Sequence, residues 1–115
     1  MTQSQMATLA PDSICLQIRA GYLYLSAEVA EANFASGVLI VQPNFGRLEI
    51  FPVASAANGG LIVKVRDALQ NRSVLIDEAI RDYGTALDGD HRFEWSGDRG
   101  CFWIDIDRVL GEPEV

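Results

Sequence analysis

The stretch Gly60–Gly84, GLIVKVRDALQNRSVLIDEAIRDYG, has the pattern of a strand, a loop, a second strand and a short helix. Leu61–Arg66 and Arg72–Ile76 are rich in β-branched and aliphatic residues, which favours strands. Asp77 is placed to cap a helix over Glu78–Tyr83, and a glycine follows at the predicted helix end. The basic residues are concentrated in the strand–loop–strand part.

The chain before this stretch has the same order of elements. Its predicted elements are two strands at Ile14–Arg19 and Tyr22–Leu25, a helix at Ala27–Phe34, and a hairpin with strands at Val38–Val41 and Arg47–Phe51. After Gly84 an acidic loop leads to a second predicted hairpin, with strands at His91–Trp95 and Cys101–Ile106, and to a frayed acidic tail. The small residues and double glycine of Pro52–Gly60 indicate a linker between the two halves.

The two halves align by pattern, which predicts an internal repeat. Leu23-Tyr24-Leu25-Ser26 aligns with Val74-Leu75-Ile76-Asp77, and Gly46-Arg47-Leu48-Glu49-Ile50 aligns with Gly100-Cys101-Phe102-Trp103-Ile104. We predict half-repeats at residues 13–53 and 60–107 that pack together as one compact domain, because neither half can bury its own apolar face. The alternative is a single irregular α+β domain with chance similarity.

Composition limits the functional classes. The 115 residues carry a formal net charge of −7, which counts against DNA binding as a default because DNA-binding domains are usually basic. The start of the chain lacks the basic and apolar segments of a signal peptide, and no apolar run is long enough to span a membrane. Cys15 and Cys101 form no CxxC pair, so we predict two buried thiols in a reducing, cytoplasmic compartment.

No catalytic or metal-binding pattern stands out. His91 lies near Asp88 and Asp90, but the spacing matches no ligand set, and a plain surface loop is the favoured interpretation. The two cysteines lie on apolar strands without a local base, which favours core thiols over nucleophiles. We therefore predict that the protein is not an enzyme and carries no cofactor or metal.

The last hairpin is rich in aromatic residues. Alternation places Phe93 and Trp95 on one face and sends Phe102 and Trp103 to opposite faces, so one large ring is exposed unless another surface covers it. Packing against the first half is slightly favoured over an interface with a partner.

The repeated unit resembles the AbrB/MazE/MraZ group of swapped-hairpin β-barrels. The segment Val74–Gly84 takes the place of that group's strand–helix core, and Leu23–Ser26 takes it in the first half. MraZ-like proteins carry two such units in one chain, as this sequence is predicted to do. The resemblance implies a mainly β protein with two short helices, folded as a tandem swapped-hairpin barrel with pseudo-twofold symmetry.

The resemblance also implies a site and a function. The group's DNA contacts come from basic residues on the first hairpin of a unit and near its helix start; the matching residues and the adjacent loop amides are Lys64, Arg66, Gln70, Asn71, Arg72 and Arg81. It implies a small cytoplasmic regulator that binds DNA, expected to be a homo-oligomer. Two alternatives remain: an ordinary solvated strand face, or an acidic protein-interaction module, antitoxin-like, that binds a basic protein partner and no DNA.

Overall fold

The computed structural model describes residues 12–54 and 59–111. Its helices and strands are, in chain order, β1 Ser13–Arg19, β2 Tyr22–Leu25, α1 Ala27–Asn33, β3 Val38–Asn44, β4 Arg47–Pro52, β5 Leu61–Ile62, β6 Lys64–Val65, β7 Arg72–Leu75, β8 Gly89–Ser96, β9 Cys101–Asp105 and α2 Ile106–Leu110. The chain is mainly β with two short helices, as the sequence predicted.

All nine strands belong to one antiparallel sheet in the order β5-β3-β4-β9-β8-β1-β2-β7-β6. The segment Leu61–Val65 brings the two edges of this sheet together, because β5 pairs with β3 at one edge and β6 pairs with β7 at the other. Val63 separates the two short strands, and its N–H donates to the Gly37 carbonyl at 2.9 Å. The sheet is therefore a nearly closed barrel.

Alternating side chains fill this barrel. On β1, Ile14, Leu16 and Ile18 are buried, while the residues between them are exposed or half-buried. Leu23 and Leu25 repeat the pattern on β2, as expected for strands with one face in a core. The largest fully buried side chains are Phe93, Phe102, Leu16, Ile18, Leu23, Leu39, Leu48, Ile50, Ile76, Ile80, Leu87 and Ile106.

The strand directions define two ends of the barrel. At one end, the α2 end, lie the turns Ala20–Gly21 and Phe45–Gly46, residues 76–88, and α2; at the other, the α1 end, lie α1, the loop of residues 66–71 and the β8–β9 turn. Ser26 caps α1 by accepting a hydrogen bond from the Val29 N–H at 3.1 Å. Phe34, just after α1, is buried against Phe102 and covers this end.

The second predicted helix is wrong as an α-helix. Residues 77–80 form turns, and only Arg81–Tyr83 is helical, as a single 3₁₀ turn. A six-residue segment has little intrinsic helical stability, so burial of Ile80 and Leu87 on the barrel decides its path. The second α-helix is instead α2, where a frayed tail was predicted, and Asp105 caps it through the Arg108 N–H.

One charged residue is fully buried within the described part of the chain. Glu49 lies on β4, and both of its carboxylate oxygens accept hydrogen bonds from Arg99, at 2.7 and 2.8 Å. The Asn44 amide adds a third hydrogen bond at 3.3 Å. These contacts hold the pKa of Glu49 below its ordinary value, and the hydrogen bonds from Arg99 have the largest effect. The pair ties the β8–β9 turn to β4.

Two side-chain expectations are corrected in part. Cys101 is buried as predicted, but Cys15 is exposed because it lies on the outward face of β1. In the last hairpin Phe93 and Phe102 are fully buried, and Trp103 is half-buried beneath the Arg47 guanidinium, 3.8 Å from its ring centroid. None of the helices in the described residues has the length and apolar character needed to cross a membrane.

Candidate nucleic-acid interface

The loop between β6 and β7 is organised by Asp67. One carboxylate oxygen of Asp67 accepts hydrogen bonds from the backbone N–H groups of Leu69 and Asn71, at 3.0 and 3.1 Å. The other accepts from the Asn71 side chain at 3.2 Å. These hydrogen bonds lower the pKa of Asp67, and the one donated by the Asn71 N–H has the largest effect. The loop is thus held in one conformation by its own side chains.

Two of the predicted DNA-binding residues, Asn71 and Arg72, are half-buried. The Asn71 side-chain oxygen accepts a hydrogen bond from the Ala27 N–H at 3.1 Å, which joins the loop to the start of α1. The Arg72 side chain is only 16% exposed, donates to the Gln70 carbonyl and lies 3.8 Å from the Glu31 carboxylate. Asn71 and Arg72 therefore connect the loop to its surroundings.

Lys64, Arg66 and Gln70 are exposed. The Arg66 guanidinium lies over the Tyr24 ring, 4.7 Å from its centroid, and 3.6 Å from the Asp67 carboxylate. Gln70 is at the loop tip with a φ of +68°, a conformation that favours glycine or asparagine.

Regular alternation along the predicted strand Leu61–Arg66 would place Val63 and Val65 on one face and Lys64 and Arg66 on the other. The structure does not have this alternation, because Val63 packs against the core whereas Val65 is 53% exposed. The cause is the break at Val63, where the chain leaves β3 and joins β7. A break of this kind has no signature in an alternating sequence pattern.

Arg81 lies apart from the other five predicted residues. It follows β7 on the α2 end of the barrel, whereas the β6–β7 loop lies on the α1 end. Its guanidinium is 3.8 Å from the Glu78 carboxylate, and both side chains are largely exposed. The structure therefore brings Lys64, Arg66 and Gln70 to one region and leaves Arg81 outside it.

The structure adds Arg19 and two tyrosines to this region. The Arg19 guanidinium lies 5.6 Å from the Tyr24 ring centroid, and the Tyr22 and Tyr24 rings are 6.2 Å apart. We call Arg19, Tyr22, Tyr24, Lys64 and Arg66 the tyrosine–cation patch. The sequence signal for the tyrosines is their alternation with leucine on β2, which indicates a two-faced strand but not the cations beside it.

The patch is less acidic than the chain as a whole. Its three cations lie near three carboxylates: Asp67 beside Arg66, Asp90 opposite Gln17 on β1, and Asp88, which accepts a hydrogen bond from the Ala20 N–H at 3.2 Å. The formal net charge of the whole chain is −7. Arginine and lysine beside exposed aromatic rings can bind phosphate and stack on bases. This chemistry suits a nucleic acid.

Other titratable groups are engaged in the fold. The His91 Nε2 lies 2.6 Å from the Leu87 carbonyl oxygen, and the ring meets Phe93 edge-on. Burial raises the pKa of the Cys101 thiol. Among residues 12–54 and 59–111, no group of three or more His, Cys, Asp or Glu side chains is arranged to hold a metal ion.

The chain matches no family model, no curated protein and no solved structure.

Proposed function

We propose that the protein is a small DNA-binding regulator with a tandem swapped-hairpin barrel of the AbrB/MraZ type, and that the tyrosine–cation patch contacts DNA. The single observation that carries the DNA-binding part is the convergence of Arg19, Lys64 and Arg66 on the tyrosine pair of β2. The family part is supported separately by the order and register of the strands.

The strand order supports the swapped-hairpin part of the proposal. Around the barrel, β1–β2 is followed by β7–β6, then by β3–β4 and β9–β8. Hairpins of the first and second half thus alternate. If each strand is replaced by its equivalent in the other half, every hairpin keeps the same kind of neighbours around the barrel. This is the arrangement expected when two equivalent units exchange hairpins to complete one barrel.

The register supports the pseudo-twofold axis. Leu23 and Val74 occupy equivalent positions in the sequence repeat, and they are direct partners in the β2–β7 ladder. Glu49 and Trp103 are likewise equivalent, and they are partners in the β4–β9 ladder. When a twofold axis relates two antiparallel strands, a residue faces its own equivalent only at the point where the axis crosses the pair. The β2–β7 and β4–β9 ladders both contain such a point, so both are consistent with the same sequence repeat.

The test is a fluorescence-anisotropy titration with a random and a genomic DNA duplex at several salt concentrations. Two or three phosphate contacts predict weak binding whose logarithm falls against log salt with a slope of about −2 to −3. Arg19→Ala/Lys64→Ala/Arg66→Ala should abolish it. The matched control is Arg81→Ala, which removes an exposed arginine that lies outside the patch beside the Glu78 carboxylate and should leave the affinity within about twofold.

The second candidate function is an acidic protein-interaction module. It is favoured by the α2 end of the barrel, where exposed carboxylates outnumber cations; those of the 76–88 segment are Asp77, Glu78, Asp82 and Asp88, with Arg81 as the cation among them. Such a surface attracts a basic protein and repels DNA. Absence of DNA binding at about 20 mM salt, where counterion competition is weak, favours this function over the first.

A further inference from the structure

Phe45 occupies a turn position that does not suit it. It is 100% exposed at the tip of the β3–β4 hairpin. Its φ is +47°, and that of Gly46 is +84°, so both central residues of the turn are left-handed. Such turns favour asparagine, aspartate or glycine, whereas a bulky residue with positive φ is strained. Phe45 therefore exposes a large apolar ring at a conformational cost.

The hairpin tip holds Phe45 in a fixed position. The Gly46 carbonyl accepts a hydrogen bond from the Ile106 N–H at 2.7 Å, which joins the turn to the start of α2. Gly46 also lies against Asp107, since a Cβ at residue 46 would be 2.6 Å from the Asp107 carboxylate. The ring is thus presented by a supported turn, as an anchor residue of an interface would be.

An apolar groove lies beside the same hairpin. We call it the seam groove, and its apolar lining is Val41, Pro43, Leu61, Leu75, Ile76 and Ala79. It has a volume of about 380 Å³, which accommodates an aromatic side chain. The groove exists because, among the described residues, β5 pairs with only the first two residues of β3. The sheet is therefore unpaired where the groove runs.

The adjoining surface is also unusually apolar. Leu61 and Leu75 line a second depression, together with Tyr22, Ile62 and Val65. Of these, Tyr22, Ile62, Val65 and Leu75 are exposed by between 39% and 63%. A contiguous apolar area of this kind on a small protein indicates an interaction surface.

We propose that this surface is the interface of a homodimer, in which Phe45 of each copy inserts into the seam groove of the other. Pro43 lines the groove and Phe45 is two residues further along the same hairpin, so anchor and receptor are adjacent. A twofold dimer needs such a self-complementary patch, because each copy must give and receive the same contact.

One pair of opposite charges fits a second copy, whereas the excess of carboxylates at the α2 end opposes association and contributes to a weak dimer. Asp77 and Glu78 lie at the rim of the groove, and Arg47 is two residues beyond Phe45. In a reciprocal contact, Arg47 of one copy approaches the acidic rim of the other. The two anchors bury a limited area, so the dimer is expected to be weak, with a dissociation constant between about 1 and 100 µM. The proposed interface shares Tyr22 with the tyrosine–cation patch, and the tests below measure self-association in the absence of DNA.

The first test compares wild type with Phe45→Asn by sedimentation equilibrium over a range of concentrations up to about 200 µM. Asparagine tolerates the left-handed turn, so the variant should unfold at the same urea concentration as wild type or a higher one, while dimerisation weakens at least about a hundredfold. The matched control is Leu69→Asn, which removes an apolar side chain 77% exposed at the α1 end and should leave the dimer intact.

The second test mixes two monomeric variants. Phe45→Asn keeps the groove and lacks the anchor, whereas Leu75→Glu keeps the anchor and adds a charge to the groove. Neither variant can make the contact with itself, but one anchor–groove contact remains in the mixed pair. The mixture should therefore associate at least about tenfold more tightly than either variant alone.

The proposal is overturned if wild type stays monomeric at the highest concentration, which would assign the groove to another partner or to none. It is equally overturned if Phe45→Asn dimerises like wild type. Association of the mixture no stronger than that of the single variants would exclude the reciprocal insertion of Phe45.

Discussion

Glu49 shows how a buried charge is tolerated in this barrel. Its partner Arg99 comes from the β8–β9 turn and is itself 42% exposed, so the pair reaches from the protein interior to solvent. Removing either side chain leaves the other without its main partner, which is costly only for the buried one. Arg99→Ala should therefore destabilise the protein through Glu49, and we expect a melting temperature lower by about 5 °C or more.

The same pair predicts a dependence of stability on pH. The folded pKa of Glu49 lies below its ordinary value of 4.5, so folding favours the ionised form. This contribution is fully present above pH 4.5 and is lost as the pH falls through the lower folded pKa. The melting temperature of wild type should fall below pH 4.5, and Glu49→Gln should show a smaller fall. Differential scanning calorimetry between pH 3 and 6 measures both.

Asp67 contributes in the same direction, because its pKa is also lowered from 3.8. The fall in melting temperature at low pH is therefore smaller in Glu49→Gln but not abolished. Melting temperatures of wild type and Glu49→Gln that fall equally between pH 6 and 3 would contradict the assignment of the lowered pKa to Glu49.

Gly60 is placed where a side chain cannot fit. Its φ is +124°, and a Cβ there would lie 2.5 Å from the Val38 Cγ1 and 3.1 Å from the Leu39 carbonyl oxygen. Gly60→Ala should destabilise the protein by about 2–4 kcal/mol, because the buried residues Val38 and Leu39 must move. Gly59→Ala is the control: its φ is +88°, but no described atom lies within 4 Å of the new Cβ. Urea unfolding should give it a loss of only about 1 kcal/mol.

At the scale of single elements, the strand pattern could be predicted because the barrel buries one face of most strands. The burial of alternate residues on β1 and β2 leaves a period of two in the sequence, and short turns follow from glycine positions. The residues 77–88 could not be predicted in the same way. Their path depends on where Ile80 and Leu87 find space in the core, which a local pattern does not contain.

In the β6–β7 loop, substitutions at two adjacent residues should have different effects on the free energy of unfolding. Asn71→Ala removes the link to Ala27 and the contact with Asp67, and should lower the free energy of unfolding by about 1–2 kcal/mol. Gln70→Gly relieves a φ of +68° and should leave stability unchanged or raise it by up to about 1 kcal/mol. Urea titrations of both variants give the comparison. Equal losses in the two would contradict the structural role assigned to Asn71.

At the scale of the whole molecule, only part of the candidate site could be predicted. The cations of the β6–β7 region are visible in the sequence, but Arg19 and Tyr24 join them only because β2 pairs with β7. Residues distant in sequence meet through this pairing, and alternation within each strand cannot reveal which strands are neighbours. The seam groove is also invisible in the sequence, since it lies where β5 pairs with only the first two residues of β3.

The alternation of hairpins around the barrel predicts how the halves depend on each other. The β1–β2 hairpin is flanked by β8 and β7, and the β3–β4 hairpin is flanked by β5 and β9, so both hairpins of the first half have all their outer neighbours in the second. An isolated hairpin is only marginally stable in water. Each half alone should therefore be unfolded, whereas the two halves together should form the barrel.

A protease site inserted between residues 54 and 59 tests this dependence. After cleavage, the two fragments should stay associated during gel filtration and keep the circular dichroism spectrum of the uncut protein, which is the control. Fragments separated in urea should be unfolded singly after its removal and should regain the β spectrum when mixed, because mixing restores the β1–β8, β2–β7, β3–β5 and β4–β9 ladders. A half that folds alone as a monomer would show that the hairpins do not depend on exchange, and would also remove the main support for the swapped-hairpin assignment.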